Sequence, residues 1–239
     1  MQQTETPARV TETESPSSAA FSQKVALSIV VPVMNEEQSV RLLFDKVSTQ
    51  IEKLGLTYEI IFVDDGSTDN TFNELKKLYE EHTSIVRVIR FRRNFSKTPA
   101  LVAGFSRCRG DVIFTIDGDL QDDPEEMPRF LEKLDEGYDL VTGWKFPRLD
   151  PISKTFPSRI FNWLVSVLTG VHLHDINNGF KAYRRELIED PHLKLYGEFH
   201  RFVPEWPIGA DLKSLKSKCV ITHVNLGSRN SVLAALLVA

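Results

Sequence analysis

Residues 58–69 read Tyr58-Glu59-Ile60-Ile61-Phe62-Val63-Asp64-Asp65-Gly66-Ser67-Thr68-Asp69, a short apolar run that stops abruptly at two adjacent carboxylates. An apolar run of this length without the alternation of a half-exposed strand is how a strand buried on both faces reads, and such strands belong to parallel sheets covered by helices. Gly66 permits a sharp turn directly after the acids. Ser67 and Asp69 are equally readable as caps for a following helix, but capping gives no reason for the Asp64-Asp65 pair. Open α/β sheets bind ligands outside the carboxyl ends of their strands, and the pair falls at such an end.

The same pattern recurs on both sides of this stretch. Upstream lies Ala26 to Val33; downstream lie Ile85 to Ile89, Val112 to Ile116, and the shorter Asp139 to Thr142. Helix-like segments fall between them, near 36–54, 69–82, 97–109 and 124–136. Right-handed crossovers would join five such strands into an α/β domain with a mainly parallel central sheet. Residues 1–23, rich in Thr, Glu, Ser and Pro, hold too few apolar side chains to offset their ordering entropy and read as a disordered tail.

A second acidic motif follows the fourth run, as Asp117-Gly118-Asp119-Leu120-Gln121-Asp122-Asp123-Pro124. Residues two apart in an extended segment project to the same side, so Asp117 and Asp119 can offer two carboxylates to one cation. Mg²⁺ or Mn²⁺ prefers oxygen ligands and is often held by one or two carboxylates together with substrate phosphates. Taken alone, an Asp-x-Asp is more often a solvated acidic loop, and it is the position after a buried strand that favours a metal. Asp122, Asp123, Glu125 and Glu126 read instead as stabilisers of the helix that Pro124 begins. His172 and His174 are not read as ligands.

Composition narrows the field further. A chain of 239 residues, 41% hydrophobic and 26% charged, can bury a sizeable core. Its net charge of -4 argues against a nucleic-acid partner. Cys108 and Cys219 form no Cys-x-x-Cys pair, and a reducing, cytosolic setting is the simplest reading. No window reaches the roughly 18 apolar residues of a membrane span. Neither phosphate-cradling glycine motif, G-x-x-x-x-G-K-[ST] or G-x-G-x-x-G, is present.

Together, Val30-Val31-Pro32-Val33-Met34-Asn35-Glu36, the Val63 to Asp69 turn, Arg93-Asn94-Phe95-Ser96-Lys97 and the Asp117 to Pro124 motif carry a family likeness. The chain resembles the inverting family 2 glycosyltransferases of the GT-A fold, an α/β Rossmann-like architecture. With Asn177-Asn178-Gly179-Phe180-Lys181 added, it looks like the polyprenyl-phosphate glycosyltransferases related to dolichol-phosphate mannose synthase and bactoprenol glucosyltransferase. The likeness covers about residues 25–203, and residues 24–203 are expected to form the glycosyltransferase domain.

It implies a nucleotide-sugar donor, UDP-glucose before GDP-mannose, and a polyprenyl phosphate lipid acceptor at the cytoplasmic face of a membrane. Pro32, Val33, Asn35, Glu36, Asp64, Asp65, Lys97, Asp117 and Gly118 would bind the donor. Asp117, Asp119 and Gln121 would hold Mg²⁺ or Mn²⁺, with Asp175 and Asp119 catalytic. Arg159, Lys181 and Arg201 would meet the acceptor phosphate. Outside that likeness, Asp175 reads as an Asx-turn residue before Gly179, Lys97 as an exposed helix-start lysine, and the apolar stretch 160–171 as core packing. The likeness would instead rest that stretch on a membrane surface.

After Pro204 the resemblance ends, where relatives of this kind continue into further sheet and two membrane-spanning helices. Residues 204–239 are therefore expected to be a divergent, truncated or frame-disrupted end, and a nucleotide-sugar-binding domain without turnover is the alternative reading. A haloacid-dehalogenase-type phosphatase also places Asp-x-Asp after a buried strand, but leaves Asp64-Asp65 without a task.

Overall fold

The computed structural model describes residues 24–145, 179–189 and 219–224. Its strands are β1 (Leu27–Val33), β2 (Tyr58–Asp64), β3 (Val86–Arg90), β4 (Val112–Thr115), β5 (Leu140–Lys145), β6 (Lys181–Arg184) and β7 (Cys219–Val224). The helices are α1 (Val40–Leu54), α2 (Thr71–Glu81), α3 (Lys97–Phe105), α4 (Met127–Asp135) and the short α5 (Arg185–Glu189), with a 3-10 turn at Pro124–Glu126. The strands form one sheet in the order β3-β2-β1-β4-β6-β5-β7.

Alternation of side chains across each strand builds two cores. Leu27, Ile29, Val31, Ile60, Phe62 and Phe114 pack on one face with Val40, Leu43, Val47 and Ile51 of α1, Leu75 and Leu78 of α2, and Phe130 and Leu134 of α4. Val30, Ile61, Val63 and Ile113 pack on the other with Ala100 and Leu101 of α3 and Leu187 of α5. Both faces are thus covered, which is why the strands read as unbroken apolar runs. Helix α1 shows the matching periodicity and ends at Gly55, in the left-handed region at φ 66°, whose N–H donates to Glu52 O.

All five expected strands are present, but the sheet is not a simple parallel series. β1, β2, β3 and β4 run parallel, whereas β6 enters antiparallel between β4 and β5. β6 is only four residues, Lys-Ala-Tyr-Arg, with a cation at each end, so local pattern does not mark it as a strand. β7 pairs parallel with β5 and draws residues beyond 203 into the sheet. The helix expected at 124–136 opens as the 3-10 turn, where Asp123 Oδ1 accepts from Glu125 N at 3.0 Å. Among the described residues no helix is long and apolar enough to cross a membrane.

Strand order reverses beside β1, since β2 lies on one side of it and β4 on the other. The carboxyl ends of β1 and β4 therefore border the crevice where open α/β sheets receive ligands. Because β6 is antiparallel, its amino end, with Gly179 and Phe180, reaches the same edge.

Candidate active site

Four loops meet at this edge. The loop after β1 is laced to the one after β2: Asn35 N donates to Ser67 Oγ at 2.9 Å, Thr68 N donates to Asn35 Oδ1 at 2.9 Å, and Glu36 N donates to Thr71 Oγ1 at 2.7 Å. Asn35 sits at φ 57°, a conformation Asn tolerates better than most residues. Neither cap candidate is the N-cap of α2, which is Asn70; Asp69, one residue before it, has its Oδ1 accepting from Thr71 N at 3.0 Å, while Ser67 Oγ accepts from Asn35 N.

Asp64 ends β2 fully buried, at 0% exposure. Its Oδ1 accepts from Ser67 N at 2.8 Å. Its Oδ2 receives no hydrogen bond, and Arg90 Nε lies 3.5 Å away. The Arg90 guanidinium lies over the Phe72 ring, 3.9 Å from its centroid. A buried carboxylate oxygen without a hydrogen bond is uncommon and costly, and the nearby Arg90 charge offsets that cost.

Asp65 is also buried and accepts from Phe95 N at 2.7 Å, fastening the loop after β3. Burial pushes its carboxyl pKa up and the Asp64 charge adds to that, against the pull of the Phe95 and Ser96 amides; the net direction is upward. For an acid so shifted, the folded state binds more protons than the unfolded state between the ordinary and the raised value. Asp65 therefore lowers stability as pH rises through that window, and the full cost is present above it. Asp65→Asn retains an acceptor for Phe95 N, so its unfolding midpoint should exceed that of the wild type at pH 7. The gain should vanish as pH falls below the ordinary carboxylate range; thermal melts at pH 3.5 and 7 check this, and a midpoint lowered at pH 7 would contradict it.

The loop after β4 carries the second pair of acids. Asp117 is half-buried; its Oδ1 is ion-paired with Lys97 Nζ, and its backbone N–H lies 3.4 Å from Asp122 Oδ2. Asp119 is exposed, with Oδ1 accepting from Gln121 N at 3.1 Å, and Leu120 between them sits at φ 60°. A Cβ on Gly118 would lie 2.9 Å from Val33 Cγ1 and 3.4 Å from Glu36 Cγ, so glycine is what lets the loops after β1 and β4 close on each other. The non-glycine residues with positive φ among the described residues are Asn35, Ser96 and Leu120, all in these loops, and backbone strain of this kind gathers at functional sites.

One carboxylate pair and an exposed amide side chain fit a hard cation that completes its shell with water and phosphate. Among the described residues there is no group of three or more His, Cys, Asp or Glu that would hold a metal unaided.

Asp64, Asp65, Asp117, Asp119 and Lys97, together with Pro32, Val33, Asn35 and Glu36, are thus gathered at one edge. Lys181 is placed differently from an open phosphate contact: it is 3% exposed in β6, in register with Thr115 and Thr142. Asp175, Arg159 and Arg201 lie outside the described residues, as does the stretch 160–171. Two contributors escape sequence reading. Arg90 meets Asp64 only through the β2–β3 pairing, and Gly179, visible in the Asn177 to Lys181 motif, backs directly onto the Asp117 carboxylate.

Residues 28–190 match the model of glycosyl transferase family 2. Dodecaprenyl-phosphate galacturonate synthase of Rhizobium johnstonii is 39% identical over 203 residues, covering 84% of this chain and 60% of the relative. Undecaprenyl-phosphate 4-deoxy-4-formamido-L-arabinose transferase of Pseudomonas fluorescens is 40% identical over 163 residues, covering 68% of this chain and 48% of the relative. The chain thus spans between about half and three fifths of the length of these relatives.

Glucosyl-3-phosphoglycerate synthase from Mycobacterium tuberculosis has a similar fold. Its complex with UDP superposes with a TM-score of 0.62 at 24% identity, over 88% of this chain and 74% of that one. Its complex with Mn²⁺, UDP and phosphoglyceric acid gives 0.63 at 23% identity, over 91% and 76%.

Proposed function

The chain belongs to glycosyl transferase family 2, and from that membership we propose that it binds a uridine nucleotide-sugar with Mg²⁺ or Mn²⁺ and passes the sugar, with inversion, to a polyprenyl phosphate at a membrane surface. The observation that carries this reading is the gathering of Asp117, Asp119 and Lys97 beside β1 at the point where strand order reverses. Similar chains are named for transfer to dodecaprenyl and undecaprenyl phosphate, which supports the acceptor class. The UDP and Mn²⁺ named for the structural neighbour support the base and the metal.

In this reading the loop from Pro32 to Glu36 and the Asp64-Asp65 turn frame the base and ribose. Asp117, Asp119 and Gln121 hold the cation, and Lys97 faces the diphosphate. A bound divalent cation neutralises charge on the departing nucleotide diphosphate. The attacking group is a phosphate oxygen, already anionic at neutral pH, so little proton abstraction is required. Positioning and stabilisation of the leaving group then carry the rate. Asp175, Arg159 and Arg201 are assigned to the acceptor half, with Asp175 orienting the reacting groups; Lys181, buried in β6, is left out of it. Galacturonate and the formamido-arabinose of the relatives join glucose and mannose as sugars to be distinguished.

The test is thermal unfolding against UDP-glucose, UDP-galacturonate, GDP-mannose, UDP and GDP, each with Mn²⁺ and with EDTA. A ligand that binds only the folded state raises the midpoint by mass action, by about 2.7 kcal/mol in stability at a hundredfold excess over Kd. Asp119→Ala should abolish the metal-dependent shift while leaving the ligand-free midpoint within about 0.5 kcal/mol of wild type, since an exposed loop carboxylate contributes little to the core. An unchanged shift in that variant would refute the assignment.

A further inference from the structure

Lys97 is a cation at the unfavourable end of a helix. It opens α3, whose first turn contains no acidic residue, directly after Ser96 at φ 80°. The positive end of the helix dipole opposes a positive charge there. What offsets that cost is Asp117: Lys97 Nζ is ion-paired with Asp117 Oδ1, and each side chain is only 30% exposed, so solvent screens the pair less than a surface one. The loop bearing the lysine is fixed independently, by Phe95 N donating to Asp65 and Ser96 N donating to Asn94 Oδ1 at 2.8 Å. The other side of the Asp117 carboxylate is closed by the Gly179 backbone.

The carboxylate assigned to the metal is therefore already neutralised by a cation built into the chain. An ammonium and a divalent ion at one carboxylate repel each other, so the ion can occupy Asp117 fully only if Lys97 yields. The lysine stem is flexible and its charge is a compact point, so it can turn to another anion when one arrives. We propose that Lys97 is a placeholder cation: it occupies Asp117 while the site holds no nucleotide, weakens binding of the metal alone, and transfers to the diphosphate when the donor enters. Metal and nucleotide then bind cooperatively, each strengthening the other by the same factor. This rests on the donor-site reading above.

The experiment is titration of the full chain with Mn²⁺, following free Mn²⁺ by electron paramagnetic resonance with and without UDP, for wild type, Lys97→Met and Lys97→Arg. Lys97→Met should bind Mn²⁺ alone about five- to tenfold more tightly than wild type, a span of the size of one partly shielded charge interaction. Its gain on adding UDP should be smaller than that of wild type by a similar factor. Lys97→Arg, which keeps the cation, should behave as wild type. Equal Mn²⁺ affinities without UDP in wild type and Lys97→Met would overturn the proposal and leave the donor reading standing, as would a wild type that binds Mn²⁺ as tightly without UDP as with it. No Mn²⁺ binding by any of the three, with or without UDP, would overturn both.

Discussion

Gly179→Ala is expected to remove metal-dependent nucleotide binding almost completely while leaving the fold intact. A Cβ at this position would lie 2.5 Å from Asp117 Oδ1 and closer still to Oδ2, well inside van der Waals contact. The glycine has no room to retreat. Its carbonyl accepts from Thr115 Oγ1 at 2.7 Å, and the next residue, Phe180, accepts from Gly143 N at 3.0 Å. Phe180 is itself packed between Phe114 and Phe130, with ring centroids 6.0 and 4.5 Å away. What yields is the Asp117 side chain, which would swing off both Lys97 and the proposed metal position. Displacing a metal-ligating group by an ångström or more costs on the order of 10²-fold in a process that depends on it. The nucleotide shift in Mn²⁺ should therefore disappear, with the ligand-free midpoint lowered by no more than about 1 kcal/mol in stability. Retention of the full Mn²⁺-dependent shift would show that Asp117 does not hold the cation.

This coupling illustrates what the sequence discloses and what it conceals. β2 and β4, like β1, are legible because both faces are covered, so each reads as an apolar run bounded by polar turns. The acids at their carboxyl ends are legible for the same reason, as charges that interrupt the run. β6 is not, since its four residues owe their burial to β4 and β5 and carry cations at both ends. Nor is the partner of each site residue. Lys97 reads equally well as an exposed helix-start lysine until the packing of α3 beside β1 and β2 brings it to Asp117. The lacing of Asn35 to Ser67 and Thr68 follows from the β1–β2 register, which sets Val33 opposite Asp64. Spacing along the chain fixes which residues share an edge; contacts between loops depend on register and strand order, which no local pattern encodes.

At the opposite edge of the sheet, Glu59→Ala is expected to cost about 3–5 kcal/mol, the range for removing one partner of a buried charge network. Glu59 is 0% exposed. Its Oε1 accepts from Ser28 Oγ at 2.7 Å and Arg109 N at 2.6 Å, and its Oε2 accepts from Arg109 Nε at 2.9 Å with Arg87 Nε 3.4 Å away. Gly110 approaches the β1 backbone so closely that a Cβ there would lie 2.6 Å from Leu27 C, and its N–H donates to Ser28 Oγ at 2.7 Å. The carboxylate thus clamps the connection from α3 into β4. Nearby Cys108, partly buried, packs against the second core, and burial pushes its thiol up to about 12, which keeps it protonated at neutral pH. Without Glu59 two guanidiniums lose their buried counter-charge, and Arg109 N is left with Ser28 Oγ, 3.1 Å away, as its remaining acceptor. For a domain of ordinary stability, about 5–15 kcal/mol, that is a large share of the total.

Glu59→Gln should cost less, since it keeps one acceptor for Arg109 N and Ser28 Oγ while setting an amide N–H₂ against the guanidinium donors. Urea unfolding measures both, and a loss below about 1 kcal/mol for the alanine variant would mean that water replaces the carboxylate. Because this node lies at the amino ends of the strands and the acids at their carboxyl ends, Glu59→Ala should still show the Mn²⁺-dependent nucleotide shift at temperatures where it is folded. Gly179→Ala should show the reverse, an intact fold without the shift.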